Sequence, residues 1–503
     1  MDWETLLPEE RIEEVFTPQE EEGGPPEKAK DTGAVQLYKL AKDQGVVTFR
    51  AESGAGIFVR YPNNGRHEIA PLASERFRSW LVMRYFMAVG REARTTEQTG
   101  VLSLLQAEAW NEPPKKLHVR LAGASGKVYL DLADEGHRAV VIDRNGWTVT
   151  SSYDVWFLRS PAMLPLPEPE PGGSLADLKP FINCEEEDLA MITAWLVASM
   201  NPAGPFPVLA VSAEQGSGKS TLTTLLKQII DPDSAPRLGM FKGADDLFAT
   251  AASRWVLAYD NIGRLTEEDS NHLCRLATGG GLSKRQLYSD NEAVSISAMR
   301  PVILNGISLT IGRMDLLDRS YPVRLLPIKT RMLESEYYCR LDELRPRLLG
   351  ALCTAVSSAL REEDYTPEGL SRMADAGAFV LRAERGGGLP WGRGYFAKVL
   401  RSREEGKLEE AMADDSVAQK ILTLADCGGW TGSMRGLLAS ILESVEPEER
   451  KFLPSTPRGL GRRLDEIAPL LRSAGVRMEK RRTKYGWMVT LGMYPQEGGV
   501  PAG

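Results

Sequence analysis

Cysteine and histidine are scarce in this sequence of 503 residues, which holds five of the first and four of the second. Cys184, Cys274, Cys339, Cys353 and Cys427 stand apart with no paired spacing, and the histidines are isolated. That scatter speaks against a zinc site or a disulfide framework and fits a reducing cytoplasm. Long apolar runs are also missing. "MITAWLVASM" and "LLGALCTAVSSAL" are the longest, and both are too short to span a bilayer. The N-terminus is acidic rather than basic and then apolar, so no secretory signal is visible. Neither a membrane nor export is expected, and a cytoplasmic location is.

Net charge is small outside one segment. Residues 1–32 carry 11 acidic and 3 basic side chains, which accounts for the net charge of −8 of the whole chain. The remainder is near neutral, so the acidic total leaves room for a local patch that binds nucleic acid. Hydrophobic residues make up 42 % and charged residues 26 %, a globular composition. The length implies two to four domains. Composition and pattern divide the chain into an acidic tail (1–33), solvated or partner-binding, and an α+β domain (34–160) with "GVVTFRAE" and "GIFVRYP" as strands and "SERFRSWLVMRYFMAVG" as a helix. "KLHVRLAG", "GKVYLDLA", "RAVVID" and "GWTVTS" read as a small antiparallel sheet in that domain. Asp131, Asp134 and Asp143 there read as turn acids at strand ends rather than a catalytic set. A Pro/Gly-rich linker (161–174) follows, then a central α/β region (175–330), a helical region (331–412) and a C-terminal region (413–495).

The centre carries the chemistry. In "PVLAVSAEQGSGKSTLTTLLKQII" an apolar strand runs into a glycine-rich turn and then an apolar helix. The segment Ala213, Glu214, Gln215, Gly216, Ser217, Gly218, Lys219, Ser220, Thr221 fits a phosphate loop, with alanine in place of the usual first glycine. The two inner glycines let backbone N–H groups point at phosphate oxygens, and the helix start adds its positive dipole end. Lys219 reaches the β- and γ-phosphates of ATP, and the Ser220 hydroxyl ligates Mg²⁺. "WVLAYDN" reads as a buried parallel strand ending at Asp260, the metal-side carboxylate. Asn261 follows; an amide orients water but cannot take its proton, so Glu267, Glu268 or the substrate phosphate is left for that task, or turnover is slow. "RPVILNG" ends at Asn305, placed to sense the γ-phosphate. Arg319, and after it Arg313, is the candidate cation supplied to the γ-phosphate of a neighbouring subunit.

The C-terminal region suggests three helices and a basic hairpin, which resembles a winged helix. Residues 451–487 hold 10 basic and 3 acidic side chains. Arg458, Arg462 and Arg463 fall on one helix, with Lys480, Arg481, Arg482 and Lys484 on the wing. A helix in the major groove with the wing on phosphates is one reading, and a solvated or protein-binding basic face is the other.

The ordered set "AEQGSGKS", "WVLAYDN", "LATGGGLSKRQLYSDNEAVSI", "RPVILNG" and "DLLDRS" resembles the superfamily three helicases. The closer likeness is to the ATPase half of phage, plasmid and poxvirus-type primase-helicases and to ATP-binding proteins of integrated mobile elements. It covers residues 175–330 well and the rest to about 490 more weakly. The resemblance implies an AAA+-like core in a hexameric ring and a hairpin, here "SKRQLYSDNEAVSIS", that projects into a central channel. Lys284 and Arg285 at its base would contact a nucleic-acid backbone, be structural, or reach a nucleotide across the interface. Asp290 and Glu292 at its turn disfavour an anionic strand. No primase centre is visible, so a motor without a primase is expected. The whole reads as a multidomain α/β ATPase that moves on single-stranded or forked DNA for a mobile element or prophage. The rival readings are an ATP-switched DNA-binding initiator or loader with little unwinding, and a phage-defence NTPase.

Overall fold

The computed structural model describes residues 32–494 except 264, 286–292, 307–312, 330, 369, 371, 444–449, 451–452 and 485. Nearly all of the acidic tail, and Asp290 and Glu292, lie outside the described residues, as do the side chains of Lys284 and Arg285. The chain forms two compact units, one from residues 1–50 and 56–114, the other from 51–55 and 115–503.

In the first unit, helix α1 (Gly33–Asp43) precedes a sheet of β1 (Val47–Arg50), β2 (Ile57–Asn63) and β3 (Arg66–Pro71), paired antiparallel in sequence order. Helix α2 (Glu75–Val89) starts where Ser74 accepts the Phe77 N–H and stops at Gly90, whose φ is 76°. Helix α3 (Thr95–Asn111) buries Val101, Leu105 and Ala109, one turn apart. Leu37, Val59, Tyr61, Phe77, Leu81 and Tyr85 are among the other buried residues of this unit's core.

The second unit opens with β4 (Leu117–His118) and a four-stranded antiparallel meander, β5 (Leu121–Ala124), β6 (Lys127–Asp131), β7 (Ala139–Asp143) and β8 (Gly146–Thr150); β9 (Trp156–Phe157) returns to pair with β4. The meander was expected in one domain with residues 34–114. It packs elsewhere: Leu121, Val128, Leu130, Val140 and Ile142 share a buried cluster with the central region. The Pro/Gly-rich stretch is extended but not a free linker. Leu166 is buried, Leu164 N–H donates to Pro232 O, and Glu170 N–H donates to Pro346 O.

The central region is a parallel sheet covered on both faces. Helix α4 (Glu186–Ala198) leads to β10 (Val208–Ser212), then α5 (Lys219–Ile230), α6 (Ala244–Ala251), β11 (Leu257–Tyr259), α7 (Glu267–Thr278), the hairpin β12 (Gly281–Arg285) and β13 (Ala293–Ser297), β14 (Val302–Gly306), the short α8 (Met314–Leu317) and β15 (Ser320–Arg324). The strand order is β11-β14-β10-β15, all parallel. Leu209, Val211 and Ile303 face one buried cluster, and Val208, Val302 and Leu304 the other. Double coverage is the reason these strands read as continuous apolar runs. Helices α9 (Glu334–Arg361), α10 (Ala374–Arg385) and α11 (Tyr395–Asp414) follow, and residues of α9 and α10 close the first cluster. No described helix is long and apolar enough to cross a membrane.

The C-terminal region has helices α12 (Ser416–Asp426), α13 (Met434–Glu443) and α14 (Pro457–Ser473), and a sheet in the order β16 (Trp430–Ser433), β18 (Gly486–Met493), β17 (Val476–Thr483). Three helices and a hairpin are present, and β16 adds a third strand. Thr456 Oγ1 caps α14 by accepting the Gly459 N–H at 3.1 Å.

A buried ionic cluster ties the meander to the central sheet. Asp231, directly after α5, accepts from Arg120 Nε at 3.0 Å and from Lys227 Nζ at 3.1 Å. It also accepts the N–H groups of Trp255 and Val256, both at 3.0 Å. Burial would raise this carboxyl, but Lys227 and then Arg120 outweigh it and hold it down at about 2. Because the folded value lies below the ordinary 3.8, the contribution is present at neutral pH and fades as pH falls from about 4 toward 2. Asp231→Ala would leave Arg120 and Lys227 buried without their counter-charge. The expected cost is about 3–5 kcal/mol, read as a lowered denaturant midpoint at pH 7 and a much smaller deficit near pH 2; an unchanged midpoint at pH 7 would remove the cluster from the stability account.

Candidate functional site

The site is built at the carboxyl ends of β10, β14 and β11. Gly216 and Gly218 have φ of 80° and 82°, a region costly for any residue with a Cβ. A Cβ on Gly216 would sit 3.1 Å from Arg331 Nη2, and one on Gly218 would sit 3.2 Å from Ile328 Cδ1. The chain after β15 therefore crosses close over the loop, and Asn183 Nδ2 anchors that crossing by donating to Leu326 O at 3.0 Å and Pro327 O at 2.9 Å.

Helix α5 begins at Lys219, and its first backbone bond of this kind runs from Leu222 N–H to Gly218 O. The amides of Lys219, Ser220 and Thr221 thus face the loop without intrahelical acceptors. Lys219 Nζ donates to Ala213 O at 2.8 Å and Glu214 O at 2.7 Å. Burial pushes its ammonium below the ordinary lysine value, and the Asp260 carboxylate opposes that. Glu214 and Gln215 are exposed, whereas Ala213 is buried. Ser217 is also buried, and its Oγ has no hydrogen-bond partner among the described residues. An anion in the loop would take up the free amides, the Ser217 hydroxyl and the lysine charge.

The strand order puts β14 between β10 and β11, and this brings three predicted residues together. Ser220 Oγ donates to Asp260 Oδ1 at 3.1 Å, so a hydroxyl and a carboxylate stand side by side next to the loop. That donor set suits Mg²⁺, a hard cation that takes oxygen ligands and keeps several waters. Asn305 is fully buried. Its Nδ2 donates to Thr223 Oγ1 at 2.7 Å and its Oδ1 accepts the Asn261 N–H at 3.1 Å. It brackets α5 to the end of β11, with both ends of its amide in use. Asn261 has φ of 56° and is exposed. Of the two acids considered for water activation, Glu267 pairs with Arg313 at 2.5 Å and Glu268 lies 3.6 Å from His272 Nε2.

Arg319 sits elsewhere. Ser320 is level with Val208 and Arg324 with Ser212, so Arg319 lies at the end of the sheet away from its own loop. Its Nη1 donates to Asp315 O at 2.7 Å and contacts the Asp315 carboxylate, which Arg372 also holds at 2.8 Å.

Sequence reasoning missed two cations. Arg237 Nη1 donates to Asp260 Oδ2 at 2.9 Å. A parallel bridge from Leu238 to Tyr259 places it there, and a single bridge leaves no strand signature. Arg331 crosses the loop from a segment with no regular structure.

In the C-terminal region, Arg458 and Arg462 on α14 and Arg481, Arg482 and Lys484 on the hairpin are exposed. Arg463 is already partnered, by Asp415 at 2.5 Å and Glu466 at 3.0 Å, and Lys480 by Asp465 at 2.6 Å.

Residues 173–397 match the family model of the actinomycete integrative conjugative element replication protein. Residues 417–493 match the model of the C-terminal domain of the same replication protein. The two regions together take in the phosphate loop, Asp260, Asn305, Arg319 and the basic hairpin. Among solved structures, the SCCmec type IV Cch active helicase is 11 % identical, with 89 % of this chain and 92 % of that chain covered and a TM-score of 0.46. The C-terminal region of NrS-1 is 12 % identical over 92 % of this chain and 100 % of that chain, with a TM-score of 0.41. The RuvB Holliday junction branch migration motor of Thermotoga maritima is 18 % identical over 63 % of this chain and 94 % of that chain, with a TM-score of 0.20. These overlaps are too loose to carry residue roles. No curated protein matches the chain.

Arg237 and a metal ion would compete for one carboxylate. Arg237→Gln is expected to lower the Mg²⁺ concentration needed for half-maximal binding of a fluorescent adenine nucleotide; a raised requirement would instead make Arg237 a support for the metal-binding pose of Asp260.

Proposed function

We propose that this protein is an ATP-driven DNA motor that serves the replication of an integrated mobile element. The observation that carries the reading is the 3.1 Å contact of Ser220 with Asp260 beside a glycine loop that opens a helix. The loop amides and Lys219 bind the β- and γ-phosphates of ATP, Lys219 exchanging its two carbonyl acceptors for phosphate oxygens. Ser220 and Asp260 would hold Mg²⁺, which neutralises charge on those phosphates. Asn305 fixes the distance between loop and carboxylate and reports the γ-phosphate through its bond to Asn261. Arg319, once released from Asp315, completes the site of the next subunit in a ring, by the superfamily three likeness a hexamer with AAA+-like cores. The β12–β13 hairpin, with Lys284 and Arg285, lines the channel, and the C-terminal region docks on DNA as a winged helix through Arg458, Arg462, Arg481, Arg482 and Lys484. Arg463 joins them only by giving up Asp415. The two family matches support a replication role and weigh against the defence reading.

One observation favours the loader as the second reading. Asn261 stands where a water-activating acid is expected, and both candidate acids have partners on or beside α7. A slow hydrolysis that times assembly would fit that arrangement.

Lys219→Ala is expected to abolish nucleotide binding and hydrolysis together. Arg319→Ala should bind nucleotide normally and hydrolyse it about 10³–10⁵-fold more slowly. Steady-state ATPase rates with and without forked DNA, and a strand-displacement assay, test this. An unchanged rate in Lys219→Ala removes the motor reading, and DNA-dependent hydrolysis without displacement selects the loader.

A further inference from the structure

The hairpin β17–β18 ends in a large aromatic that its own core does not use. Trp487 is 50 % exposed. Along β18, Val489 and Leu491 are buried and alternate residues share a face, so Trp487 stands on the inward face, one pair beyond the core. Across the hairpin, Val489 faces Lys480 and Trp487 faces Arg482. Lys480 donates to Gly461 O at 2.8 Å and to Asp465, which fixes the register of the hairpin on α14. Because α14 runs into β17 through a tight turn, the two elements are antiparallel. Arg482 and Trp487, two residues beyond Lys480, therefore stand level with the first turns of α14, where Arg458 is exposed. Arg481 and Arg482 make no ion pair among the described residues, unlike Arg477 and Lys480 on the same strand.

An indole beside guanidinium groups, with no acidic partner there, suits a flat anionic polymer. Stacking on an aromatic requires an unstacked face of a base, which duplex DNA offers at an end or a fork and single strands offer throughout. Groove binding would need the arginines but not the indole. We propose that Trp487 is a stacking platform for an unpaired base, so that this hairpin engages the boundary between single and double strand rather than the duplex alone. The proposal rests on the reading of the C-terminal region as a DNA-binding surface. Arg482 and Arg458 hold the flanking phosphates, and Trp487 takes the first exposed base.

Fluorescence anisotropy with the full chain tests it on three labelled probes: a single strand, a fork and a blunt duplex. Trp487→Ala is expected to weaken the first two about 5- to 150-fold and to leave the duplex within about twofold. Trp487→Phe should recover most of the loss. Arg482→Ala should weaken all three and reduce the salt slope by about one. Equal loss on all probes, or none on any, with Trp487→Ala overturns the platform. If the wild-type chain binds none of the probes, the DNA-binding reading fails, whatever Trp487 does.

Discussion

A carboxylate with four donors sets the relative positions of the elements around the loop. Asp231 closes the far end of α5, and its two oxygens collect a guanidinium, an ammonium and two backbone N–H groups. Arg120 comes from the turn before β5 and also donates to Asp131 O and Leu164 O. One buried charge therefore locks three pieces together: the helix that starts at the loop, the strand that ends at Asp260, and the meander. A buried ion pair adds little net stability over apolar packing, but it is intolerant of displacement. Its service here is position. The loop helix is fixed at its C-terminal end, and Asn305 fixes it again near its N-terminal end through Thr223.

Charge at the open end is arranged differently. Lys219, Arg237 and Arg331 approach the loop, against the single Asp260 carboxylate and the exposed Glu214. The lysine spends its protons on the loop's own carbonyls and the guanidinium spends its on Asp260. Each holds a place that a polyphosphate or its metal would claim. Ser217 Oγ and the first amides of α5 are the groups left over for an anion, so binding would pair them while Lys219 and Arg237 exchange the partners they now have.

Local patterns were legible in the sequence. The strand–loop–helix, the parallel strands ending at Asp260 and Asn305, and the meander all announce themselves through apolar runs and glycine turns within a dozen residues. Ser220 and Asp260 were paired on chemistry, and the interposed β14 brings them into contact. What escaped depends on contacts distant in sequence. Helix α3 was missed because its buried stripe is Val101, Leu105 and Ala109 in an otherwise mixed run. The meander's packing on the central core, and Leu166 pressed into it, are invisible to composition. Arg463 looked like its neighbours, and only the fold reveals Asp415 beside it.

Arg319 lies at the end of the sheet away from its own loop. It precedes β15, while the loop follows β10, and those strands lie parallel in register. Five residues of extended chain separate the two ends, about 16 Å, farther than an arginine side chain extends. Arg319 cannot touch a phosphate held by its own loop. Its present partner Asp315 is shared with Arg372, so loss of one guanidinium still leaves that carboxylate paired. A cation that can leave without stranding its counter-charge, on the far side of the sheet from its own site, is suited to a nucleotide bound by another copy of the chain.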